Sequence, residues 1–252
     1  PANQATLTKR YTSEAIQFIE RNKSKPFFLY LPHTFPHLPL FASKEFHGKS
    51  ANGRYGDSVE EIDWSTGKIL DALKQHGLDK NTLVIFTSDN GSNGRNGGSN
   101  APLSGAKGGT MEGGMRVPTV MWWPGRIPAG KECSEVGASM DFLPTCAAIS
   151  GAKMPDDRVI DGKNLLPLME GREGAKSPHQ AFFYGTEAVR SGKWKLKGRE
   201  LFDLEEDIGE TQNLASAFPE RTQKMQEQWE TWATAMEIPF TDFKAIRKKT
   251  WE

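Results

Sequence analysis

The sequence lacks the features that mark several common protein classes. Its 32 basic and 32 acidic side chains give a formal net charge of zero, so charge gives no reason to expect nucleic acid or an anionic membrane as a partner. It has only two cysteines, Cys133 and Cys146, which excludes a disulfide scaffold and a four-cysteine zinc site. Apolar runs such as residues 27–31 and 83–86 fall far short of the roughly 20 residues of a membrane-spanning helix. We therefore expect no nucleic-acid partner and no membrane span.

Two further features are missing, one at the start of the chain and one among its motifs. The first residue is Pro1 and not Met, and no apolar signal-like segment follows it. We therefore expect the chain to be a piece of a longer protein, and its compartment is left open. The sequence has no G-x-S-x-G motif for a serine nucleophile. Neither cysteine lies in a basic loop that would activate it.

The composition that is present is that of a globular protein. The 252 residues are 37% hydrophobic and 10% aromatic, with a mean hydropathy of −0.59, which excludes a disordered chain. The length fits one large α/β domain, or such a domain with a smaller appendage.

Alternating strand and helix patterns predict a layered α/β sheet in residues 1–175. Strands without polar alternation are expected to be covered on both faces, as in a mostly parallel sheet. Residues 176–252 are predicted to form a smaller α+β domain of short antiparallel strands and a closing amphipathic helix that starts near Pro219. In the first domain the predicted helices are 12–22, 55–74 and 141–150, and the predicted strands are 27–31, 82–87 and 119–123.

A long glycine-rich loop follows the second predicted strand. Between Gly91 and Gly114 there are nine glycines in 24 residues. Ordering so much glycine costs more backbone entropy than simple packing would offset. Long loops of this kind after a strand usually have a function.

Asp89 and Asn90 stand where the second strand enters this loop. Ligands collect at the carboxyl ends of strands in open α/β sheets, and carboxylate and amide oxygens suit a hard cation such as Ca²⁺ or Mg²⁺. Asp-Asn-Gly is also good turn chemistry, and spacing alone favours a plain turn over a metal site. Ca²⁺ takes roughly 6–8 oxygens, of which these two side chains supply at most about three. Other residues must complete any metal site.

Two more side chains are candidates for binding an anion. His37 lies between Pro36 and Pro39, which restrict the backbone, so it could bind an anion or protonate a departing alkoxide. Lys107 has glycines on both sides that let the backbone approach an anionic group such as sulfate or phosphate. Taken in isolation, each residue is better explained as an ordinary loop residue, and Lys107 is not in a Walker loop.

Three readings of Glu112 stay open on the sequence. It could pair with Arg116, brace the loop or touch a substrate. The remaining histidines give weaker signals. His33 invites the same reading as His37 on weaker grounds, and His47, His76 and His179 are expected at the surface.

Many short motifs occur in one colinear order over nearly the whole chain, and together they resemble the type I sulfatases, closest to the arylsulfatase A and N-acetylgalactosamine-6-sulfatase group. No single motif is decisive, but so many in sequence make coincidence a poor explanation. The motifs are Phe27-Phe28-Leu29-Tyr30, Pro36-His37-Leu38-Pro39, Tyr55-Gly56-Asp57, Gly67-Lys68-Ile69-Leu70, Thr87-Ser88-Asp89-Asn90-Gly91, Gly105 to Thr110, Glu112-Gly113-Gly114-Met115-Arg116-Val117-Pro118, Trp122-Trp123-Pro124-Gly125, Asp141-Phe142-Leu143-Pro144-Thr145, Asp161-Gly162, Leu201-Phe202-Asp203-Leu204, Gly209-Glu210 and Asn213-Leu214.

The resemblance implies the alkaline-phosphatase-like sulfatase fold, in part, and hydrolysis of sulfate esters of a sulfated glycan or small molecule. By resemblance, Asp89 and Asn90 would be ligands of the family's divalent metal, usually calcium. His37 would contact the sulfate and protonate the leaving alcohol, and Lys107 would bind a sulfate oxygen. The family also implies a periplasmic, secreted or lysosomal location.

The sequence departs from the family pattern in its N-terminal motifs. The family's formylglycine nucleophile is made from Cys or Ser in C/S-x-P/A-S/x-R, and this chain has no such motif. The paired aspartates that complete the metal shell are also missing. We therefore expect the C-terminal half of a sulfatase, inactive alone, whose formylglycine lies in an N-terminal half. Two rivals stay open: a phosphatase or phosphodiesterase of the alkaline-phosphatase-like superfamily, and a non-catalytic module that binds sulfated glycans.

Overall fold

The computed structural model describes residues 3–237, and the chain divides into two compact units. Unit 1 contains Pro1–Phe86, Gly94–Ser99 and Thr119–Ala129, and unit 2 contains Thr87–Asn93, Asn100–Pro118 and Gly130–Glu252. Residues 238–252 of the predicted C-terminal domain lie outside the described residues. A domain boundary after residue 175 stays a prediction.

Two long helices form most of unit 1. Helix α1 (Leu7–Asn22) and helix α2 (Gly53–Gln75) bury Ile19 and Leu73, and Gly77, at φ 67°, follows α2 as the sequence predicted. The predicted start of α1 at Thr12 was too late. The Thr12 hydroxyl is buried and hydrogen-bonded to the Thr8 carbonyl at 2.7 Å and to Ser65 Oγ of α2 at 2.6 Å. It serves the packing of the two helices and does not cap one.

A buried carboxylate fixes the loop that enters α2. Asp57 accepts hydrogen bonds from the backbone N–H groups of Gly48, Lys49 and Ser50 at 2.8, 3.0 and 2.9 Å. The N–H groups of Ser50 and Gly48 lower the pKa of Asp57 because they favour its charged form. At Gly56 an added Cβ would lie 2.0 Å from Ser50 Oγ, so the loop passes too close for a side chain there.

The sheet of unit 1 is small and partly uncovered. Strands β1 (Val84–Thr87) and β2 (Thr119–Trp122) are hydrogen-bonded to each other. The expectation that these strands are covered on both faces was wrong, since Phe86 is 42% exposed and Val120 is 62% exposed. The predicted strand at residues 27–31 was also wrong. Within residues 3–237 this segment pairs with no strand, and a strand needs a neighbour for its N–H and C=O groups.

Short helices and a buried acid organise the first part of unit 2. The helices are α3 (Glu112–Met115), α4 (Phe142–Ser150) and α5 (Leu166–Met169). Helix α4 is followed by Gly151, at φ 72°, as predicted. The expectation that His179 is a surface residue was wrong. Its side chain is 6% exposed because Nε2 lies 2.9 Å from both carboxylate oxygens of the fully buried Asp141.

A four-stranded antiparallel sheet and a helix form the rest of unit 2, as the sequence predicted. The strands follow chain order: β3 (Phe182–Tyr184), β4 (Ala188–Ser191), β5 (Trp194–Lys197) and β6 (Glu200–Asp203). The register aligns Val189, Leu196 and Leu201 on one face, where they pack with helix α6 (Pro219–Ala235). Within residues 3–237 no helix is both long enough and apolar enough to cross a membrane.

Candidate active site

Asp89 and Asn90 lie just past the end of β1, in unit 2. Asp89 is exposed and Asn90 is half-buried. The Asn90 side-chain amide donates a hydrogen bond to Asp89 Oδ2, and the Ser88 hydroxyl donates to the Asn90 carbonyl at 2.8 Å. The two side chains are therefore held side by side, with the Asn90 amide nitrogen facing the Asp89 carboxylate.

Backbone contacts tie this segment to the segment that carries Lys107. The Ser92 carbonyl accepts hydrogen bonds from the Lys107 N–H at 3.0 Å and from Asn100 Nδ2 at 2.8 Å. Asn100 Oδ1 in turn accepts from the Ser92 N–H at 2.8 Å. Gly91 donates its N–H to the Gly114 carbonyl at 3.0 Å. The backbone next to Asp89 and Asn90 and the backbone of Lys107 are therefore direct neighbours within unit 2.

Three glycines make this close packing possible. A Cβ added at Gly91 would lie 1.8 Å from the Gly113 carbonyl oxygen, and one at Gly113 would lie 2.6 Å from the Ser104 oxygen. A Cβ at Gly114 would lie 2.4 Å from the Gly109 oxygen. The obstacles are backbone atoms, so no side chain fits at these positions without displacing the loop. This accounts for part of the glycine content that the sequence shows.

Lys107 lies in an exposed turn whose following residues are firmly anchored. Thr110 donates its hydroxyl to Glu187 Oε2 at 2.7 Å and accepts at its carbonyl from Lys195 Nζ, also at 2.7 Å. The exposed lysine thus lies in a loop whose backbone is hydrogen-bonded on both sides.

Of the three readings of Glu112, the contacts favour the brace, because Glu112 is buried and hydrogen-bonded to Tyr184 and Lys195.

The surroundings of Glu112 keep it ionised. Burial alone would raise its pKa, but the attraction and hydrogen bond of Lys195 and the hydrogen bond from Tyr184 outweigh burial, so the pKa is lowered. For Tyr184, burial and the neighbouring Glu112 carboxylate raise the pKa strongly, so the phenol stays protonated and donates.

His37 lies in unit 1, in the proline-rich loop after residue 31, whereas Asp89, Asn90 and Lys107 belong to unit 2. Its side chain is exposed, and Nδ1 lies 2.8 Å from the Leu38 carbonyl oxygen. A carbonyl only accepts, so Nδ1 carries the proton of this hydrogen bond. The other ring nitrogen, Nε2, is left to take up or release a proton.

The donors at Asp89 and Asn90 fit a hard cation in kind but not in number. Both supply oxygen, the ligand type that Ca²⁺ takes. Within residues 3–237 no group of three or more His, Cys, Asp or Glu side chains could hold a metal ion. A complete shell around these two side chains therefore needs oxygens from backbone, water or residues beyond this group.

Sequence reasoning missed three residues that organise this region: Asn100, Lys195 and Glu210. Asn100 links two loop segments through its amide, and Lys195 and Glu210 surround Glu112. The Gly209-Glu210 motif was a signal for the last of these. Asn100 and Lys195 gave none, since an asparagine in a polar loop and a lysine in a short strand are both ordinary.

Two family models match the chain. The model described as Sulfatase matches residues 1–152, and the model described as N-sulphoglucosamine sulphohydrolase, C-terminal, matches residues 107–235. Together they cover most of the described part of the chain.

Curated relatives and solved structures give the same picture. Human (Homo sapiens) steryl-sulfatase is 44% identical over 77% of this chain and 35% of its own length. The N-acetylgalactosamine-6-sulfatase of Mus musculus is 46% identical over 76% of this chain and 38% of its own. The crystal structure of Ps i-CgsB in complex with k-i-k-neocarrahexaose has a TM-score of 0.80 at 34% identity, over 90% of this chain and 54% of that chain. The PsFucS1 sulfatase from Pseudoalteromonas sp., with a TM-score of 0.86 at 24% identity over 94% of this chain and 55% of that one, shares the fold. The chain spans little more than a third of the length of steryl-sulfatase and of N-acetylgalactosamine-6-sulfatase.

Proposed function

The chain belongs to the sulfatase family, and from that premise we propose that it supplies part of the active site of an enzyme that hydrolyses sulfate esters. One observation carries the proposal: a pair of oxygen donors, Asp89 and Asn90, and a cationic side chain, Lys107, extend from backbone segments that are hydrogen-bonded to each other. Catalysis of sulfuryl transfer needs positive charge placed in advance around the anionic group.

Each of these residues has a role that its chemistry supports. Lys107 would bind a sulfate oxygen through its exposed ammonium group. Asp89 and Asn90 would hold the divalent cation, calcium by family resemblance, which supplies a fixed positive charge beside the sulfate. The exposure of the Asp89 carboxylate leaves it open to a cation and to donors from other segments.

His37 would act as the general acid. Because Nδ1 donates to the Leu38 carbonyl, the ring orientation is fixed and Nε2 is the nitrogen that can deliver a proton. That proton would go to the oxygen of the leaving alcohol as its bond to sulfur breaks.

The nucleophile and the remaining metal ligands would come from an N-terminal half that is not part of these 252 residues. The relatives support this, since the chain matches 35% and 38% of their lengths. Exposed apolar side chains in unit 1 also support it, because they are the kind of surface that another segment covers. They are Phe28, Tyr30, Phe86 and Val120, which are 73%, 76%, 42% and 62% exposed. The formylglycine of the family would lie in that half.

The substrate we propose is a sulfated carbohydrate. Two findings support it: the similarity to N-acetylgalactosamine-6-sulfatase and the similarity to Ps i-CgsB, which was crystallised in complex with k-i-k-neocarrahexaose. Similarity to steryl-sulfatase shows that the alcohol varies among relatives of comparable identity. The anion-binding residues would therefore be shared, and the loops around them would choose the alcohol.

The test is hydrolysis of 4-nitrophenyl sulfate and of sulfated oligosaccharides by the parent protein with its upstream region and by the 252-residue chain alone. We expect turnover by the parent, stimulated by Ca²⁺, and none by the chain alone. In the parent, Lys107→Ala and His37→Ala should each lower kcat/KM by about a hundredfold or more, the scale seen when one charge-stabilising donor is removed. Lys131→Ala and His47→Ala, at exposed lysine and histidine positions, are the matched controls.

Three outcomes would overturn the proposal. Robust calcium-dependent turnover by the isolated chain would contradict the shared site. Near-normal rates for both Lys107→Ala and His37→Ala would remove their roles. Faster hydrolysis of 4-nitrophenyl phosphate than of the sulfate would place the parent among phosphatases.

A further inference from the structure

Lys195 is a fully buried lysine whose ammonium group lies close to three oxygens. Its Nζ donates to the Thr110 carbonyl at 2.7 Å and to Glu112 Oε1 at 2.9 Å, and it lies 2.8 Å from Glu210 Oε1. The side chain is 0% exposed. Two of the three ammonium donors are hydrogen-bonded, and the contact with Glu210 is an ion pair. Lysine is almost never buried unless it is paired in this way.

The two acids are joined to each other as well as to the lysine. The Glu112 N–H donates to Glu210 Oε2 at 2.6 Å, and the Tyr184 hydroxyl donates to Glu112 Oε1 at 2.8 Å. Arg190 lies 3.5 Å from Glu112 Oε2. Two carboxylates thus face two cations, and the buried group is close to neutral. We call Lys195, Glu112 and Glu210 the buried triad.

The triad joins three segments that are far apart in the sequence. Lys195 lies on β5, Glu112 at the start of α3 just after the Lys107 loop, and Glu210 in the segment after β6. The sheet register puts Arg190 directly across from Lys195, on the face opposite the α6 core. One face of the sheet is therefore apolar and covered by α6, while the other holds the glycine-rich loop through charge.

Glu210 adopts a backbone conformation that favours glycine, with φ at 53°. A non-glycine residue in this region is strained and persists where the surroundings fix it. Here its N–H donates to the Asp207 carbonyl at 3.1 Å, while its carboxylate reaches Lys195 and the Glu112 N–H. The strained backbone of Glu210 directs its carboxylate toward Lys195 and Glu112.

A buried ion cluster is weak support for stability, because desolvating the charges offsets most of their attraction. Well-packed apolar side chains could fill the same volume without that cost. What charges add is a single allowed arrangement, since a shifted loop would leave a buried charge unpaired.

From this we infer that the triad's residues are positioning residues that fix the backbone of the Lys107 loop through Thr110 and Glu112. The inference deepens the proposed function and rests on it only in the role given to Lys107. Thr110 is three residues beyond Lys107, and its carbonyl bonds directly to Lys195. The sheet would set where the sulfate-binding ammonium can reach, although no residue of the triad touches the sulfate itself.

The first experiment measures the loop and not the reaction. In the 252-residue chain, Lys195→Met keeps a side chain of similar length and removes the charge. Hydrogen exchange followed by mass spectrometry should show residues 105–115 exchanging about tenfold faster or more, while residues 7–22 of α1 are unchanged. Lys193→Met is the matched control, since Lys193 pairs with Asp203 at the surface and is 36% exposed. Unchanged exchange at residues 105–115, or an equal rise in both segments, would overturn the inference.

A milder variant decides the matter if Lys195→Met fails to fold. Glu210→Gln keeps an oxygen for the Glu112 N–H and removes one negative charge. The triad together with Arg190 then carries a net positive charge. Glu210→Gln should also speed hydrogen exchange at residues 105–115, but by less than Lys195→Met does. The double variant Lys195→Met/Glu210→Gln should exchange more slowly there than Lys195→Met alone, because it removes one charge of each sign. Normal protection in Glu210→Gln together with no recovery in the double variant would reject the triad as a brace.

The second experiment uses the parent enzyme and separates a positioning role from a structural one. Lys195→Met should lower kcat/KM for 4-nitrophenyl sulfate about tenfold or more, but should have little further effect once Lys107 is replaced by alanine. Additive losses in Lys107→Ala/Lys195→Met would contradict positioning through Lys107. If the parent hydrolyses no sulfate ester while the exchange result holds, the proposed function fails and the brace stands.

Discussion

The two sheets of this chain bury similar apolar strands to very different degrees. In the C-terminal sheet Val189, Leu196 and Leu201 are at most 1% exposed beneath α6. In the sheet of β1 and β2, Phe86 and Val120 are 42% and 62% exposed. The first sheet obtains its cover from the helix that follows it in the sequence, and the second exposes apolar surface within residues 3–237. A strand's composition therefore does not tell whether its cover is supplied by the same piece of chain.

Truncating one residue in each sheet should give the largest contrast. Leu201→Ala removes a fully buried side chain and should lower the free energy of unfolding by about 2–5 kcal/mol, since it leaves a cavity under α6. Val120→Ala removes an exposed side chain and should change the free energy of unfolding by less than about 0.5 kcal/mol. Urea unfolding followed by tryptophan fluorescence measures both.

The parent protein sharpens the same comparison. If an N-terminal half covers β2, Val120→Ala should become clearly destabilising there while Leu201→Ala keeps its effect. A large effect of Val120→Ala in the isolated chain would mean that β2 is already covered, and would remove the contrast between the sheets.

The loop held by the polar face of the C-terminal sheet gives the next largest effect. Gly113→Ala places a Cβ 2.6 Å from the Ser104 carbonyl oxygen and 2.7 Å from that of Gly105, so the backbone must move. We expect a loss of about 1–3 kcal/mol in unfolding free energy, the usual cost of overpacking. Gly109→Ala, where the nearest contact is 3.4 Å, is the matched control in the same loop. Equal losses for both variants would show that loop flexibility, and not close packing, requires the glycines.

Acid should weaken both units, through carboxylates held in different ways. Asp57 is held by backbone N–H groups and Glu112 by cations, and both have lowered pKa values. Each therefore stabilises the folded state fully above its unfolded pKa of about 4, and this stabilisation is lost as the pH falls through the lower folded value. The free energy of unfolding should decrease below about pH 4. Asp57→Asn should flatten that decrease, whereas Asp63→Asn, at an exposed position of α2, should not. A pH profile unchanged in Asp57→Asn would contradict the assignment.

The smallest expected effect distinguishes the two cysteines of unit 2. Cys133 is exposed, and Cys146 is half-buried on α4. Burial raises the pKa of Cys146, so less of it is thiolate, the reactive form. Iodoacetamide should modify Cys133 several-fold faster at pH 8, as peptide mass spectrometry would show. Equal rates would mean that α4 opens readily, and the C-terminal part of unit 2 would then be less well packed than its sheet.

The sequence predicted those elements whose signals are local. Helix α2 and helix α4 end at Gly77 and Gly151 because a left-handed residue stops a helix regardless of what surrounds it. The short antiparallel strands predicted for the C-terminal part are present as a four-stranded sheet. Residues 27–31 were predicted wrongly because pairing depends on a neighbouring strand, and His179 because its burial depends on Asp141, far away in the chain.

The candidate site divides in the same way. Asp89, Asn90, His37 and Lys107 were proposed from residue type, position and family resemblance, and their roles stay predictions. Lys195 could not be found, because Lys195 and Lys197 look alike in a strand of alternating character. Only the first meets Glu112, which is 83 residues away in the sequence.

The amino-acid order alone was enough to indicate the family, the C-terminal ends of helices α1, α2 and α4 and the presence of a glycine-rich loop after β1, since each of these depends on neighbouring residues or on motif order. Tertiary structure decided which charges are buried, which glycines are sterically required and which strands lie uncovered. The reason is that desolvation, close contact and strand pairing are set by residues distant along the chain, and no local pattern records their positions.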